Sequence, residues 1–103
     1  MIYPLGTTVT HVLTFMDKDG VGAADIDRLV QQVFLTSRHD KVGNDVEIVP
    51  STVRTGLGTY EVNYDIPTDI DTDVHQSMTF IYTGYLGTIK KVATKTIPIN
   101  WKS

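Results

Sequence analysis

Aspartate residues crowd the segment between residues 17 and 28, which is the first candidate for metal chemistry. Four aspartates lie on either side of two glycines: Asp17, Asp19, Asp25 and Asp27. Their odd spacings are ones at which the oxygen ligands of a Ca²⁺-binding loop can occur. A calcium loop also needs an oxygen ligand at its fifth position and a bidentate carboxylate at its end, where this chain has Val21 and Arg28. The segment therefore predicts no metal site. It predicts an Asp-Gly turn followed by a helix cap or the start of a strand.

The histidines and serines form no recognisable catalytic or metal-binding pattern. Metal-binding histidines are usually paired at close spacing, whereas His11, His39 and His75 are far apart in the sequence. None of the serines has the flanking glycines of a nucleophile elbow: Ser37, Ser51 and Ser77. We therefore predict that the chain is not an enzyme, has no catalytic residue, and binds no metal or other cofactor.

Charge is distributed unevenly along the chain. All 12 acidic residues precede residue 89, and the charged residues after it are Lys90, Lys91, Lys95 and Lys102. Four carboxylates lie close together at Asp65, Asp69, Asp71 and Asp73. The acidic segment is either a solvated loop or a site for a cation or a basic partner. The lysines either protect an edge strand from aggregation or dock against acidic loops of neighbouring subunits. Docking would involve Asp69, Asp71, Asp73, Lys90, Lys91 and Lys95.

Aromatic side chains outside the predicted core are further candidates for binding. They are Tyr3, Tyr85 and Trp101, and the first and last of these lie near the two ends of the chain. Aromatic side chains in such places often complete a partner surface. Sugars also stack on exposed rings, so the alternative function is that of a carbohydrate-binding or cell-surface-binding module.

Length and composition predict one small β-rich domain spanning residues 1–103. A chain of 103 residues buries a single modest core. Thr, Val and Ile together make 36 residues against 3 alanines, and β-branched side chains favour strands over helices. The net charge of −3 argues against nucleic acid as a partner. No apolar stretch is long enough for a membrane span, so we predict no membrane partner either.

The absence of cysteine excludes disulfides, thiolate metal sites and cysteine catalysis. The first residues have neither the basic start nor the apolar run of a signal peptide. We therefore expect a complete small gene product made in a reducing cytoplasm. A domain excised from a longer protein, with Met1 added, is the other interpretation.

Alternating apolar and polar residues predict six or seven short strands. The clearest pattern is residues 58–66, where Tyr60, Val62, Tyr64 and Ile66 share one face, and these four with Phe80 and Tyr82 form the predicted core. Further strands are predicted at 7–16, 77–85 and 88–100, with short extended segments at 46–49 and 52–55. Residues 25–38 fit both an amphipathic helix capped by Asp25 and a strand after a short loop, and we prefer the strand.

Three local features resemble those of immunoglobulin-like modules. They are the turn at residues 17–20, the Gly58-x-Tyr60-x-Val62 pattern, and the final pair of alternating strands joined near Gly87. The resemblance implies an all-β, antiparallel β-sandwich. The helical spacing of apolar residues leaves the alternative of one short helix around residues 25–35. The resemblance also implies that the Tyr60 hydroxyl bonds to the backbone while its ring packs inside. The chain departs from antibody-type domains in having no cysteine pair and no central tryptophan.

A small, cysteine-free sandwich of this kind resembles the small structural proteins of tailed bacteriophage virions. That resemblance implies a non-enzymatic structural or assembly protein of the head (capsid decoration), neck or tail. It implies localisation to the virion after synthesis in the host cytoplasm, with other virion proteins or copies of itself as partners.

Overall fold

The computed structural model describes residues 2–17, 19–35, 40–70 and 76–100. Within these ranges the chain forms nine strands: β1 (Tyr3–Pro4), β2 (Thr8–Thr14), β3 (Arg28–Leu35), β4 (Asp40–Lys41), β5 (Val46–Ile48), β6 (Arg54–Gly56), β7 (Thr59–Asp65), β8 (Ser77–Leu86) and β9 (Ile89–Asn100). A single helical turn, α1 (Pro50–Val53), lies between β5 and β6. Its proline is at the start of the turn, where the fixed φ suits a helix and the missing N–H is not needed.

The strands form two sheets. The large sheet has the order β1-β9-β8-β3-β4, with β5 also pairing with β3, and the small sheet has the order β2-β7-β6. Every pairing is antiparallel except that of β1 with β9. The order β9-β8-β3-β5 opposite β2-β7-β6 agrees with the strand order of immunoglobulin-like sandwiches. The predicted all-β antiparallel sandwich is therefore confirmed.

Both sheets bury alternate residues in one shared core. The small sheet contributes Val9, Leu13, Tyr60 and Val62, and the large sheet contributes Leu29, Val33, Met78, Phe80, Tyr82 and Ile97. Five of the six predicted core residues are at most 3% exposed: Tyr60, Val62, Ile66, Phe80 and Tyr82. Tyr64, the sixth, is half-buried and packs against the edge of this core.

One local prediction is confirmed and one is wrong. The strand preferred for residues 25–38 is present as β3, whose backbone pairs with β8 on one side and with β4 and β5 on the other, so the alternative of a short helix around residues 25–35 is not observed. Leu29 and Val33 face the core, while Val30 and Phe34 point to the opposite side of the sheet. The extended segment expected at 52–55 begins as helix α1, whose turn is closed by the N–H and hydroxyl of Thr52 bonding to the carbonyl of Val49 at 3.0 and 2.7 Å.

Candidate docking surfaces

The side chains of β3, β8 and β9 that point away from the core form what we call the outer face of the large sheet. At one end of this face, Arg28 on β3, Tyr85 on β8 and Lys90 on β9 are directly opposite one another across the strands. The guanidinium carbon of Arg28 lies 5.2 Å from the centre of the Tyr85 ring, and Nζ of Lys90 lies 6.0 Å from it. Arg28 also forms an ion pair with Glu47 on β5. We call Arg28, Tyr85 and Lys90 the tyrosine cluster.

The lysines of β9 are divided between the two sides of the large sheet. Lys90 is exposed on the outer face, whereas Lys91 and Lys95 lie on the core side and are half-buried. Lys95 is opposite Phe80 in the register of β8 and β9. Charged side chains pointing inward on an edge strand discourage pairing with another sheet. The three lysines predicted to act together therefore occupy different environments.

Asp69 lines an open cleft of about 380 Å³. The other lining residues are Leu35, Asp40, Lys41, Val42, Pro67 and Ile70. The cleft lies beside Leu35, at the opposite end of β3 from Arg28. Asp71, Asp73 and Trp101, also predicted as interaction residues, lie outside the described residues. Of the predicted acidic segment, the structure thus places Asp69 far from the tyrosine cluster.

Acidic and basic residues that are separate in sequence meet at the β8–β9 turn. The backbone N–H of Gly87 donates to Oδ2 of Asp27 at 2.8 Å, and the N–H of Asp27 donates to the carbonyl of Tyr85 at 2.7 Å. Asp27 therefore lies beside the tyrosine cluster. The separation of charge along the sequence does not become a simple separation of charge in space.

Tyr3 and Tyr85 belong to different regions of the molecule. Tyr3 lies on β1 opposite Ile99 and is half-buried against the core. Tyr85 is opposite Lys90, near the other end of the 12-residue strand β9. At about 3.3 Å per residue, the two rings are roughly 30 Å apart along that strand. These two rings do not form one sugar-stacking platform.

The aspartates of the calcium-like segment bind backbone and side-chain groups of the protein itself. Oδ1 of Asp17 accepts hydrogen bonds from the N–H groups of Asp19 and Val21, both at 3.1 Å. Oδ1 of Asp25 accepts from the N–H of Gly58 at 2.8 Å and from Nε of Arg54 at 3.0 Å. These contacts hold the pKa of each carboxyl below its usual range, Asp17 chiefly through Val21 and Asp25 chiefly through Gly58. The Asp17 carboxylate closes its own turn, whereas the Asp25 carboxylate joins the segment before β3 to Gly58 and Arg54.

Asp25 also meets the tyrosine of the Gly-x-Tyr pattern. The Tyr60 hydroxyl accepts the N–H of Ile26 at 2.9 Å and lies 3.4 Å from Oδ1 of Asp25, while its ring is 0% exposed. Burial raises the pKa of this phenol, so it stays protonated and able to donate. The backbone bond that the resemblance implied is therefore present and ties β7 to the start of β3.

The described part of the chain contains no group of three or more His, Asp or Glu residues that could hold a metal ion. Nor do these residues include a helix long and apolar enough to cross a membrane. His39 and His75 lie outside the described residues, and His11 is buried at 6% exposure on the core side of β2.

β2 forms one edge of the small sheet, since β7 is its neighbour on one side and no described strand pairs with it on the other. Its outward side chains are all exposed: Thr8, Thr10, Val12 and Thr14. Neither this strand nor Arg28 was predicted as a binding site from the sequence. The uncharged run at residues 7–16 could have indicated β2 from the sequence alone. Arg28 could not have been identified in this way, because only strand pairing brings its neighbours next to it.

No family model, curated protein or solved structure matches the chain.

Proposed function

We propose that the protein is a non-enzymatic structural or assembly subunit that acts by protein–protein docking, and that it works in the virion of a tailed bacteriophage. The tyrosine cluster carries the docking proposal. Tyrosine and arginine are the residue types most often responsible for binding energy at interfaces, because they combine a large rigid surface with directional polar groups. In this cluster the aromatic ring lies between two cations on an open sheet face.

The surroundings of the tyrosine cluster also suit an interface. Val92, two residues along β9 from Lys90, is 59% exposed on the same face. Threonines continue that face along β9 at Thr94 and Thr96, both exposed. An apolar and aromatic centre with charged groups around it is the usual anatomy of a docking surface. The virion setting rests on the resemblance of a small cysteine-free sandwich to phage structural proteins.

Incorporation into particles tests the proposal. Phage lacking the gene would be complemented with the wild-type chain, with Tyr85→Ala or with Lys90→Glu, and copies per purified particle would be counted by mass spectrometry. We expect fewer copies for both variants. The melting temperature of Lys90→Glu should stay close to that of the wild type, because Lys90 is exposed, and the melting temperature of Tyr85→Ala is measured beside it to show that the variant is folded.

Glu61→Lys is a matched control, since Glu61 is exposed on the outside of the other sheet. Its incorporation should remain normal. Absence of the wild-type chain from purified particles would refute the virion setting, and equal incorporation of all variants would refute docking through the tyrosine cluster. Binding of the isolated protein to a glycan array, lost in Tyr85→Ala, would instead support the carbohydrate-binding alternative.

A further inference from the structure

The open edge of β2 carries a regular row of backbone hydrogen-bonding groups. The N–H of Phe15 donates to the carbonyl of Gly58 at 2.8 Å, and the carbonyl of Thr7 accepts the N–H of Ile66 at 2.9 Å. Odd-numbered residues of this strand therefore direct their backbone groups toward β7. Because that direction alternates along an antiparallel strand, Thr8, Thr10, Val12 and Thr14 direct their N–H and C=O groups toward the open side.

The unpaired lengths of β9 and β7 carry features that discourage strand addition, whereas β2 carries none. β9 has Lys90, Lys91 and Lys95 along its length, and Pro98 has no N–H to donate. β6 pairs with β7 only at Thr59 and Tyr60; the rest of β7 carries the acidic residues Glu61 and Asp65, and the register of β6 with β7 shifts between Arg54 and Gly56. β2 consists of the residues Thr-Val-Thr-His-Val-Leu-Thr, without a formal charge, a proline or a shift of register.

We propose that β2 is a self-association edge, and that two copies of the chain pair through it as antiparallel strands to form a two-fold symmetric dimer. In this arrangement Thr8 lies opposite Thr14 of the second copy, and Thr10 lies opposite Val12 of the second copy. The two small sheets become one continuous six-stranded sheet with the order β6-β7-β2 followed by its symmetric repeat. A strand paired with its own copy makes an isologous interface, which closes at two subunits.

The second copy is the occupant that the chemistry of β2 favours. Antiparallel self-pairing places β-branched side chains opposite each other, a favourable cross-strand combination, and brings no like charges together. The hydroxyls of Thr8 and Thr10 already donate to Asp65 at 2.5 Å and to Asn63 at 2.6 Å. At these two positions a partner strand therefore has only backbone groups to satisfy. Pairing β9 with its own copy would instead align strands that each carry three lysines.

This proposal concerns the small sheet, while the tyrosine cluster lies on the large sheet, so the two can fail separately. Sedimentation equilibrium across a concentration series measures the association directly. We expect the wild type to reach twice the monomer mass of 11.4 kDa and to go no higher. A chain that stays monomeric up to millimolar concentration would overturn the proposal. Open-ended growth beyond a dimer would overturn it too, because a two-fold interface closes.

Paired charge substitutions locate the interface. Thr10→Lys with Val12→Lys places like charges opposite each other in the dimer, and should abolish dimerisation across the range in which the wild type dimerises. Val92→Lys with Thr94→Lys is the matched control on β9, with the same residue types, spacing and added charge. Val12 and Val92 are 54% and 59% exposed, so both variants should fold. Equal effects of the two pairs would overturn the assignment to β2, as would loss of the dimer in Tyr85→Ala alone.

Amide hydrogen exchange followed by NMR gives a residue-level result. In the monomeric Thr10→Lys, Val12→Lys variant, the amides of Val9, His11 and Leu13 should be protected by β7 while those at positions 10 and 12 exchange rapidly. In the wild-type dimer the amides of Thr10 and Val12 should become protected as well. A dimer in which those two amides remain unprotected would place the interface elsewhere.

Discussion

His11 and Tyr82 join the two sheets through the core, with 2.9 Å between Nδ1 of the imidazole and the phenol oxygen. His11 lies on β2 and Tyr82 on β8, 71 residues apart in sequence. The imidazole also makes an edge contact with Phe80 at 4.5 Å between ring centres, and its Nε2 has no hydrogen-bond partner among the described residues. Burial, and secondarily the charge of Lys95, lowers the pKa of His11 below its ordinary value of 6.5.

The pKa of His11 makes stability depend on pH in a known direction. Because the folded protein resists protonation at this site, the unfolded chain binds the proton first as pH falls through about 6.5. The stabilising effect of a neutral His11 is complete above that pH. It declines as pH falls from there toward the lower pKa of the folded state. Urea unfolding between pH 8 and pH 4.5 should therefore show a falling midpoint below about pH 6.5.

Other histidines provide the control for this pH dependence. His39→Gln and His75→Gln should keep the decline, whereas His11→Gln should flatten it. Tyr82→Phe should lower stability at neutral pH by about 1–3 kcal/mol, because it leaves Nδ1 of His11 buried without a partner. A pH profile unchanged in His11→Gln would show that His11 titrates normally in the folded protein.

Removal of the Tyr60 hydroxyl and removal of its ring should have different costs. Tyr60→Phe loses the acceptor for the Ile26 N–H and should cost about 1–3 kcal/mol. Tyr60→Ala also leaves a cavity, and should cost about 3–5 kcal/mol, as should Phe80→Ala. Thr94→Ala, at an exposed position, should change the melting temperature little. Thermal unfolding of all four variants measures this series, and a Tyr60→Ala shift no larger than that of Thr94→Ala would contradict the core assignment.

Gly58 should be the glycine least able to accept a side chain. It has a φ of +66°, and a Cβ there would lie 2.7 Å from the carbonyl oxygen of Phe15 and 2.8 Å from the backbone nitrogen of Ala24. Gly43 has a similar φ of +70° but open space around it, so Gly43→Ala should show only the cost of the left-handed conformation, about 1–2 kcal/mol. In denaturant unfolding, the free energy of unfolding of Gly58→Ala should be well below that of Gly43→Ala. Equal losses would mean that the backbone around residue 58 shifts freely.

Calcium should not stabilise the protein. The carboxylates of Asp17 and Asp25 accept hydrogen bonds from backbone N–H groups, so binding a cation would require breaking the turn that Asp17 closes and the contact of Asp25 with Gly58. The melting temperature should be the same in calcium and in a chelator. A rise of several degrees at sub-millimolar calcium would overturn this expectation.

The sequence predicts the small sheet well because its strands have one solvent-exposed face and one buried face. In β7, the residues that alternate with Tyr60 and Val62 are exposed and polar, so the period of two is plain. β3 is harder to predict because it has apolar residues on both faces: Leu29 and Val33 inside, Val30 and Phe34 outside. Local spacing then fits a helix equally well, and only pairing with neighbouring strands decides. Pro50 follows the predicted extended segment at 46–49, and it also suits the first position of a helix, which is where the structure places it.

The candidate docking surfaces could be predicted only in part. Tyr85 and Lys90 were identified by residue type, but their contact with Arg28 depends on the register of three strands, which no local pattern specifies. The edge position of β2 likewise depends on strand order in the sheet. Residue types can therefore indicate which side chains bind, while topology decides which of them share a surface.

The pairing of β2 with β7 also determines how long β2 remains without a neighbouring strand during synthesis. Thr14 and Thr59 are opposite each other at one end of this pair, and Thr8 and Asp65 at the other, 57 residues apart. At ribosomal speeds of about 5–20 residues per second, β2 emerges several seconds before β7 exists. During that interval an uncharged, β-branched segment has neither of its edges paired. The nascent chain is therefore exposed to mispairing with neighbouring chains until β7 has been made.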